Sequence, residues 1–370
     1  MRKSLKFILL FLFAVFILWF FGRNLDWAEI RKNLSQANGY YLSAATLIIC
    51  LGYLFRAFRW RTLLAPITET SLRELFAATV VGFSVIFIVG RAGEIVRPMW
   101  LSMRDHRVRP SAGLITLVIE RVCDTAALIC FFAASLLWLK PPAEYEREFA
   151  NVRFIGMLML VGVVFGIAAL YFYYKYSAAI IGWFEKLIDK KIIPKKIQAI
   201  FLNLLEQMAT SLEIFRNWRE VAAVVGWTIV VWLGIAVPTW LIILAFDIPF
   251  GFADSLFVMF VAAIGSLVPT PGGAAGAFHA ATAGGLILFG VDKEKAWAIS
   301  FAMHIIYFAP AIFFGFYYFL RGDISLARLR GLLSSDHTVE DVEHETEFQV
   351  QSPESGVQSR ESQIEIQPSN

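Results

Sequence analysis

The chain has 370 residues, of which 58% are hydrophobic and 17% are charged, and its mean hydropathy is +0.63. Soluble domains usually contain about 45–50% apolar and about 25% charged residues. The composition therefore excludes an ordinary soluble enzyme. Together with the 34 Phe and 11 Trp residues, it predicts an all-α, polytopic integral membrane protein.

The charge is divided unevenly along the chain. The segment from Ser334 to Asn370 has nine Asp or Glu residues and one Arg, so it contributes −8 to a net charge of +3 and leaves +11 on residues 1–333. Because this segment is rich in Ser, Gln and Glu, it buries too little apolar surface to order itself. We predict a transmembrane domain at residues 1–325 and a disordered acidic cytoplasmic tail at residues 326–370.

Nine apolar runs alternate with polar segments. The first run follows Arg2, Lys3 and Lys6 and lacks the small-residue cleavage site of a signal peptide, so we predict an anchored span with a cytoplasmic N-terminus. Six runs are assigned as full spans: 7–22, 40–55, 112–139, 154–174, 221–246 and 296–320. Three short runs end at Gly or Pro and are assigned as broken elements: 75–90, 255–268 and 274–290.

The loop charges orient these runs, since Lys and Arg collect on the cytoplasmic side of a membrane. The segments on both sides of the run 75–90 are rich in arginine, which predicts that this run enters from the cytoplasm and returns to it. The loop after residue 246 has Asp247 and Asp254 but no basic residue, so the two short runs around Pro269 are predicted to enter from outside. We expect about six full transmembrane helices and two re-entrant broken elements from opposite faces, with both termini cytoplasmic. Opposed broken helices are typical of transporters with a midplane site.

The first candidate site is the sequence Gly-Arg-Ala-Gly-Glu-Ile-Val-Arg-Pro at residues 90–98. Its glycines and proline interrupt the helix, and non-helical backbone at membrane depth must line protein or a water-filled cavity. Arg91 and Arg97 are suited to binding a phosphate, and Glu94 to orienting them. The alternative is an interfacial arginine cluster that binds lipid head groups as a topology anchor.

The second candidate site lies inside the run 112–139, where Glu120, Arg121 and Asp124 occur together. A charged group near the bilayer centre costs roughly 2.5–3.5 kcal/mol or more, so these three residues need partners or water. Glu120 and Asp124 are four residues apart and share a helix face, and Arg121 balances only part of their charge. The alternative is a buried structural network completed by Arg97 or Arg56.

The third candidate site is a break at Pro269-Thr-Pro-Gly-Gly, which includes Pro271, Gly272 and Gly273. Proline removes amide donors and glycine permits unusual backbone, so the following half-helix directs its amides toward the membrane interior, where they attract an anion. A plain surface turn is the alternative. His279, one turn farther on, is either a titrating transport residue or a hydrogen-bonded packing residue.

These three motifs, in this order, resemble the lysylphosphatidylglycerol synthase transmembrane region, also called the flippase-like or UPF0104 family. The resemblance covers roughly residues 5–325, and it implies a polytopic inner-membrane module. In some members the module moves aminoacylated phosphatidylglycerol between leaflets, and in others it is linked to lipid-linked sugar metabolism. Relatives often have an acidic residue where this chain has His279, which argues against a carboxylate role there. The polar segment after Leu320 has no room for the synthase's aminoacyl transferase domain, so lysyl transfer is not expected.

The leading functional hypothesis is a lipid translocator in the plasma (inner) membrane, with an anionic phospholipid or a polyprenyl-phosphate lipid as its partner. The proton gradient or membrane potential would act on Glu120, Asp124 or His279. The alternatives are an integral membrane transferase with Glu120 or Asp124 as general base, and an accessory subunit. The chain has no P-loop, dinucleotide fingerprint or metal-ligand spacing, so we predict no metal, no cofactor and no nucleic-acid partner. A homo-oligomer is compatible with the sequence.

Overall fold

A computed structural model of the chain describes residues 23–188 apart from 24, 109 and 140–145, scattered residues between 198 and 212, and residues 217–321 apart from 269. The predicted span at 7–22 and the predicted tail at 326–370 lie outside the described residues. Within this part of the chain the regular structure is helical, with no strand, which confirms the all-α prediction.

The helices, numbered along the chain, are α1 Trp27–Gln36, α2 Gly39–Leu64, α3 Leu72–Val89, α4 Val96–Arg104, α5 Pro110–Trp138, α6 Glu146–Ile188, α7 Trp218–Ala245, α8 Phe252–Gly265, α9 Ala277–Leu288 and α10 Lys293–Arg321. A short 3₁₀ helix at Gly90–Ile95 joins α3 to α4, and the turn Pro271–Ala274 lies between α8 and α9. Each predicted run in these residues corresponds to a helix, with ends that differ by a few residues to about a dozen.

Within the described residues, four helices are long and apolar enough to cross a membrane, namely α2, α6, α7 and α10. The 26 residues of α2 extend about 39 Å, more than the roughly 30 Å of a hydrocarbon core. The 29-residue α5 is as long, but three charged residues interrupt its apolar sequence. Large apolar side chains on α6 are exposed, including Phe154 and Phe165 at 69% each, as expected for a helix that faces lipid. The protein is therefore an integral membrane protein, and the number of full spans stays a prediction.

The prediction that the second span ends near Phe55 was wrong. Helix α2 continues to Leu64, so Arg56 and Arg59 lie within the helix and not in a cytoplasmic loop. The chain meets no helix-breaking residue before Pro66, and the buried guanidinium groups find carboxylate and backbone partners inside the protein. The long helix thus carries two arginines into the helix bundle.

The predicted break after α3 is confirmed at Gly90, where φ is +75°. Helix α3 begins at the cap Ser71, whose hydroxyl accepts a bond from the Glu74 amide, and it ends where glycine permits a left-handed backbone. The chain then folds back on the same helix. A Cβ atom added to Gly93 would lie 2.7 Å from the Ile86 nitrogen, so only glycine allows this approach.

The main hydrophobic core joins α2, α7, α8, α9 and α10. Its buried members include Ile49 and Tyr53 of α2, Ile242 of α7 and Trp297 of α10. Helices α8 and α9 form a tight hairpin, because a Cβ atom at Gly265 would lie only 2.7 Å from the Ala277 carbonyl oxygen. This core on one side, and helices α3, α4 and α5 on the other, enclose the polar residues of the candidate site.

Candidate functional site

The charged residues of α5 lie near the middle of the helix. Glu120 is ten residues from the first residue of α5, about 15 Å along the axis, and its side chain is 1% exposed. The side chain of Asp124, one turn farther on, is 14% exposed. Removing such charges from water costs several kcal/mol per ion unless partners surround them. Both carboxylates have such partners.

Glu120 lies between two arginines from different helices. Arg97 of α4 donates from Nη1 to both carboxylate oxygens at 2.9 Å, and Arg59 of α2 donates from Nη2 to Oε1 at 2.7 Å. The Arg97 guanidinium also lies 4.0 Å above the ring of Trp60, whose Nε1 donates to the Thr116 hydroxyl at 3.0 Å. Glu120 therefore holds α2, α4 and α5 together.

Asp124 shares Arg59 with Glu120 and has further partners of its own. Arg59 donates from Nη1 to Oδ1 at 2.6 Å, Arg121 approaches Oδ2 with Nη2 at 3.1 Å, and Trp232 of α7 donates from Nε1 to Oδ1 at 3.1 Å. Arg121 also lies 3.8 Å from Glu94, measured from Nε to Oε2. Asp124 thus connects α2 and α7 to the segment that follows α3.

Arg59 is the central residue that the sequence reasoning missed. The predicted partners of the α5 carboxylates were Arg97 or Arg56, and the structure confirms Arg97 but places Arg59, not Arg56, against them. The spacing of the two arginines could have indicated Arg59. Arg56 and Arg59 are three residues apart, so on a continued helix they share a face.

A cavity of about 290 Å³ adjoins this charged cluster. It brings together the three predicted motifs: Glu94 and Arg97 from the first, Arg121 and Asp124 from the second, and Gly273 from the third. Glu120 is buried behind Arg97 and does not line the cavity. The remaining wall is largely apolar and includes Phe83, Trp232, Leu128 and Phe308.

The cationic groups of this region outnumber the anionic ones. Among the described side chains, Arg56, Arg59, Arg97 and Arg121 face Glu94, Glu120 and Asp124, which gives these seven groups a net charge of +1. Arg56 lines the cavity and forms no ion pair within the described residues. Its Nη1 donates to the Gly52 carbonyl of its own helix at 3.3 Å. The arrangement suits a monoanionic group of a ligand.

The third motif forms a left-handed turn that is not a plain surface turn. Gly272, Gly273 and Ala274 have φ values of +76°, +65° and +63°, and Thr270 is fully buried. A Cβ atom at Gly273 would lie 2.7 Å from the ring of Phe308, so glycine is required there both for its φ and for space. The turn packs on α3 and closes one side of the cavity.

His279 lies away from the cavity. It is buried in an aromatic cluster, with its ring centroid 4.6 Å from that of Phe301 and 4.7 Å from that of His304. His304 approaches the Gly273 carbonyl oxygen with Nε2 at 3.3 Å, so it supports the turn from behind. The structure therefore does not bring His279 to the other candidate residues. Gly272 is also absent from the cavity lining.

Two predicted residues cannot be placed by their side chains. The backbone of Arg91 lies in the 3₁₀ helix and that of Pro271 at the start of the left-handed turn, but both side chains lie outside the described residues. Pro269 is outside them entirely. Their predicted roles stay predictions.

The geometry defines a class of protein: a helical integral membrane protein with a charged, arginine-rich cavity between interrupted helices. The chain matches the Lysylphosphatidylglycerol synthase TM region family over residues 7–315 and belongs to that family. It is also similar to the UPF0104 membrane protein PH1989 of Pyrococcus horikoshii. The two are 19% identical over 323 residues, which cover 83% of this chain and 93% of the relative. The resemblance stated from the motifs is thereby confirmed.

Proposed function

We propose that the protein translocates a lipid with an anionic head group across the plasma membrane. The observation that carries this proposal is the cavity of about 290 Å³, which combines arginine and carboxylate side chains inside an apolar helix bundle. Phosphate-bearing head groups match such guanidinium donors. The family is named for a lipid synthase, which supports a lipid as the substrate.

The two interrupted segments support a transport role for the cavity. The 3₁₀ helix after α3 contributes Gly90 and Glu94 to its wall, and the left-handed turn before α9 contributes Gly273. Irregular backbone inside a membrane is tolerated where it lines a polar cavity, and broken helices often form transport sites. A head group passing through would meet polar groups while its chains stay in an apolar environment.

The transferase alternative receives less support from the geometry. A general base must reach the proton that it removes. Glu120 has no access to the cavity and is held by Arg59 and Arg97, and the oxygens of Asp124 accept bonds from Arg59 and Trp232. Both carboxylates thus already accept bonds from arginine or tryptophan donors, which disfavours either of them as a general base.

Reconstitution into vesicles tests the proposal. The full chain is incorporated into vesicles that contain phosphatidylglycerol or a polyprenyl phosphate with a fluorescent label, and a membrane-impermeant quencher reports the label in the outer leaflet. We expect quenching beyond the outer-leaflet fraction for at least one anionic lipid. Quenching that equals that of empty vesicles for every lipid, with and without a proton gradient, would contradict translocation.

A pair of carboxylate-to-amide variants links the activity to the cavity. Asp124→Asn changes a residue of the cavity wall, and Glu74→Gln changes a carboxylate that pairs with Arg104 at the protein surface. We expect a loss of translocation of about tenfold or more for Asp124→Asn, since a hydrogen bond to a charged group contributes roughly 1.5–3 kcal/mol. Glu74→Gln is expected to translocate at the wild-type rate.

A further inference from the structure

A second cavity, of about 220 Å³, adjoins the first. We call the first the polar chamber and the second the aromatic chamber. Seven residues line both of them: Arg56, Phe83, Trp232, Ile235, Ala263, Ser266 and Phe308. The two chambers are therefore neighbours separated by a common set of side chains, and Arg56 is the one charged residue in that common set.

The aromatic chamber offers an apolar lining. Beyond the common residues it is lined by Phe278, Met259 and Met303 among others. Its two tyrosine hydroxyls are already engaged. The Tyr53 hydroxyl donates to the Tyr307 carbonyl at 2.8 Å, and the Tyr307 hydroxyl lies 2.5 Å from the Thr239 hydroxyl. Aromatic rings and flexible methionine side chains pack well against hydrocarbon.

Arg56 is placed to bind an anion at the boundary of the chambers. It forms no ion pair within the part of the chain that the structure describes, whereas Arg59, Arg97 and Arg121 each contact a carboxylate. Its guanidinium carbon lies 5.1 Å from the centre of the Phe83 ring. Of its five N–H donors, one is used by the Gly52 carbonyl, so several remain for a ligand.

A single ligand with a charged end and an apolar end would satisfy both chambers. We propose that the two chambers together bind one lipid phosphate, with the phosphate at Arg56 in the polar chamber and the first carbons of one chain in the aromatic chamber. The aromatic chamber, with a volume of about 220 Å³, has room for a short stretch of a lipid chain. The inference rests on the proposed function and adds that the protein recognises a chain as well as a head group.

Binding to the purified full chain in detergent tests this inference without a membrane. The probes are a long-chain polyprenyl phosphate, phosphatidylglycerol and glycerol phosphate, the last of which has the phosphate but no chain. We expect at least one of the two lipids to bind more than about tenfold tighter than glycerol phosphate. Whichever of the two lipids binds more tightly identifies the source of the lipid phosphate.

Two variants separate the roles of the chambers. Arg56→Gln is expected to weaken binding of the preferred lipid by about tenfold or more, while the control Arg104→Gln, which changes a surface arginine, binds as the wild type does. Ala262→Phe places a ring in the aromatic chamber, because Ala262 lines only that chamber. It is expected to weaken lipid binding about tenfold and to leave the affinity for glycerol phosphate unchanged, which also shows that the variant is folded. Ala262→Leu replaces it if Ala262→Phe does not purify in a folded state.

The inference is overturned if Arg56→Gln keeps the wild-type affinity for the preferred lipid, or if the folded Ala262 variant binds that lipid as the wild type does. It is also overturned if glycerol phosphate binds as tightly as the lipids. These failures are distinct from a failure of the proposed function. Chain-dependent binding without translocation in vesicles would remove the transport proposal alone, and translocation by variants with unchanged binding would remove this inference alone.

Discussion

Glu120 and Asp124 lie one helical turn apart on α5, but their surroundings differ. Glu120 is enclosed, with its carboxylate shared between Arg59 and Arg97. Asp124 lies at the cavity wall, where Trp232 and Arg121 also contact it. The comparison indicates that two carboxylates on one helix can have different roles. The inner carboxylate holds α2, α4 and α5 together, whereas the outer one also lines the cavity.

The largest expected effect comes from the enclosed carboxylate. Glu120→Gln leaves Arg97 without a counter-ion, and removing one partner of a buried ion pair usually costs about 3–5 kcal/mol. We expect a large decrease in the thermal unfolding temperature of the detergent-purified protein. The matched variant Glu74→Gln, in the partly exposed pair with Arg104, is expected to change the free energy of unfolding by less than about 1 kcal/mol. Equal effects of the two variants would remove the distinction.

A second variant displaces Arg97 without altering any charge. A Cβ atom at Gly82 would lie 2.7 Å from the Arg97 Cβ, so Gly82→Ala pushes α4 away from α3. Overpacking of this kind costs about 1–3 kcal/mol. Gly234→Ala in α7 is the control, since among the described residues no atom beyond the adjacent backbone of α7 lies within 4 Å of its added Cβ. This variant is expected to raise stability by up to about 1 kcal/mol. Thermal unfolding of both variants measures the difference, and a neutral Gly82→Ala would show that Arg97 is not held tightly.

The outer carboxylate is expected to affect stability less than it affects activity. Asp124→Asn keeps an oxygen that accepts from Arg59 or Trp232, and Arg59 keeps its bond to Glu120, so we expect a loss of about 1 kcal/mol. The unfolding temperature and the translocation rate are measured on the same preparation. A loss of stability equal to that of Glu120→Gln would place Asp124 among the structural residues.

The smallest effect concerns a carboxylate outside the membrane-spanning helices. Hydrogen bonds from Arg107 to Asp105, at 2.9 Å, lower the pKa of the Asp105 carboxyl below its ordinary value. Because the pKa is lower in the folded state, the contribution to stability is present above the ordinary pKa and is lost as the pH falls through the folded value. We expect the wild type to be more stable than Asp105→Asn by less than about 1 kcal/mol at neutral pH. Unfolding temperatures measured at decreasing pH should converge, and a constant difference would contradict this assignment.

Much of this arrangement could be predicted from local sequence. Glycine and proline mark the interruption at Gly90 and the turn around Gly273, because both residues change the backbone wherever they occur. The charges at Glu120 and Asp124 stand out within an apolar run, and their need for partners follows from the cost of burying them. These features depend on residues close together in the chain.

The partners of these charges could not be predicted in full, since they depend on how distant helices pack. Arg59 reaches Glu120 across 61 residues of sequence, and Trp232 reaches Asp124 across 108. Arg59 follows the apolar run 40–55, and the positive-inside rule assigns an arginine in that position to a cytoplasmic loop. His279 was grouped with the charged motifs by its position after the Pro-Gly-Gly break, but its helix turns it toward Phe301.

Neighbouring helices approach each other closely at three glycines, and this affects how the helices can move relative to one another. At Gly82 the neighbour is the Cβ of Arg97, at Gly113 it is the Cβ of Pro98, and at Gly265 it is the backbone of Ala277. Sliding of packed helices requires a layer of side chains that can repack, and these contacts have none. We therefore expect helices α3, α4 and α5 to move as one unit, and α8 and α9 as another. If the cavity between them widens during translocation, we expect rotation at the connecting loops and not sliding of the packed helices.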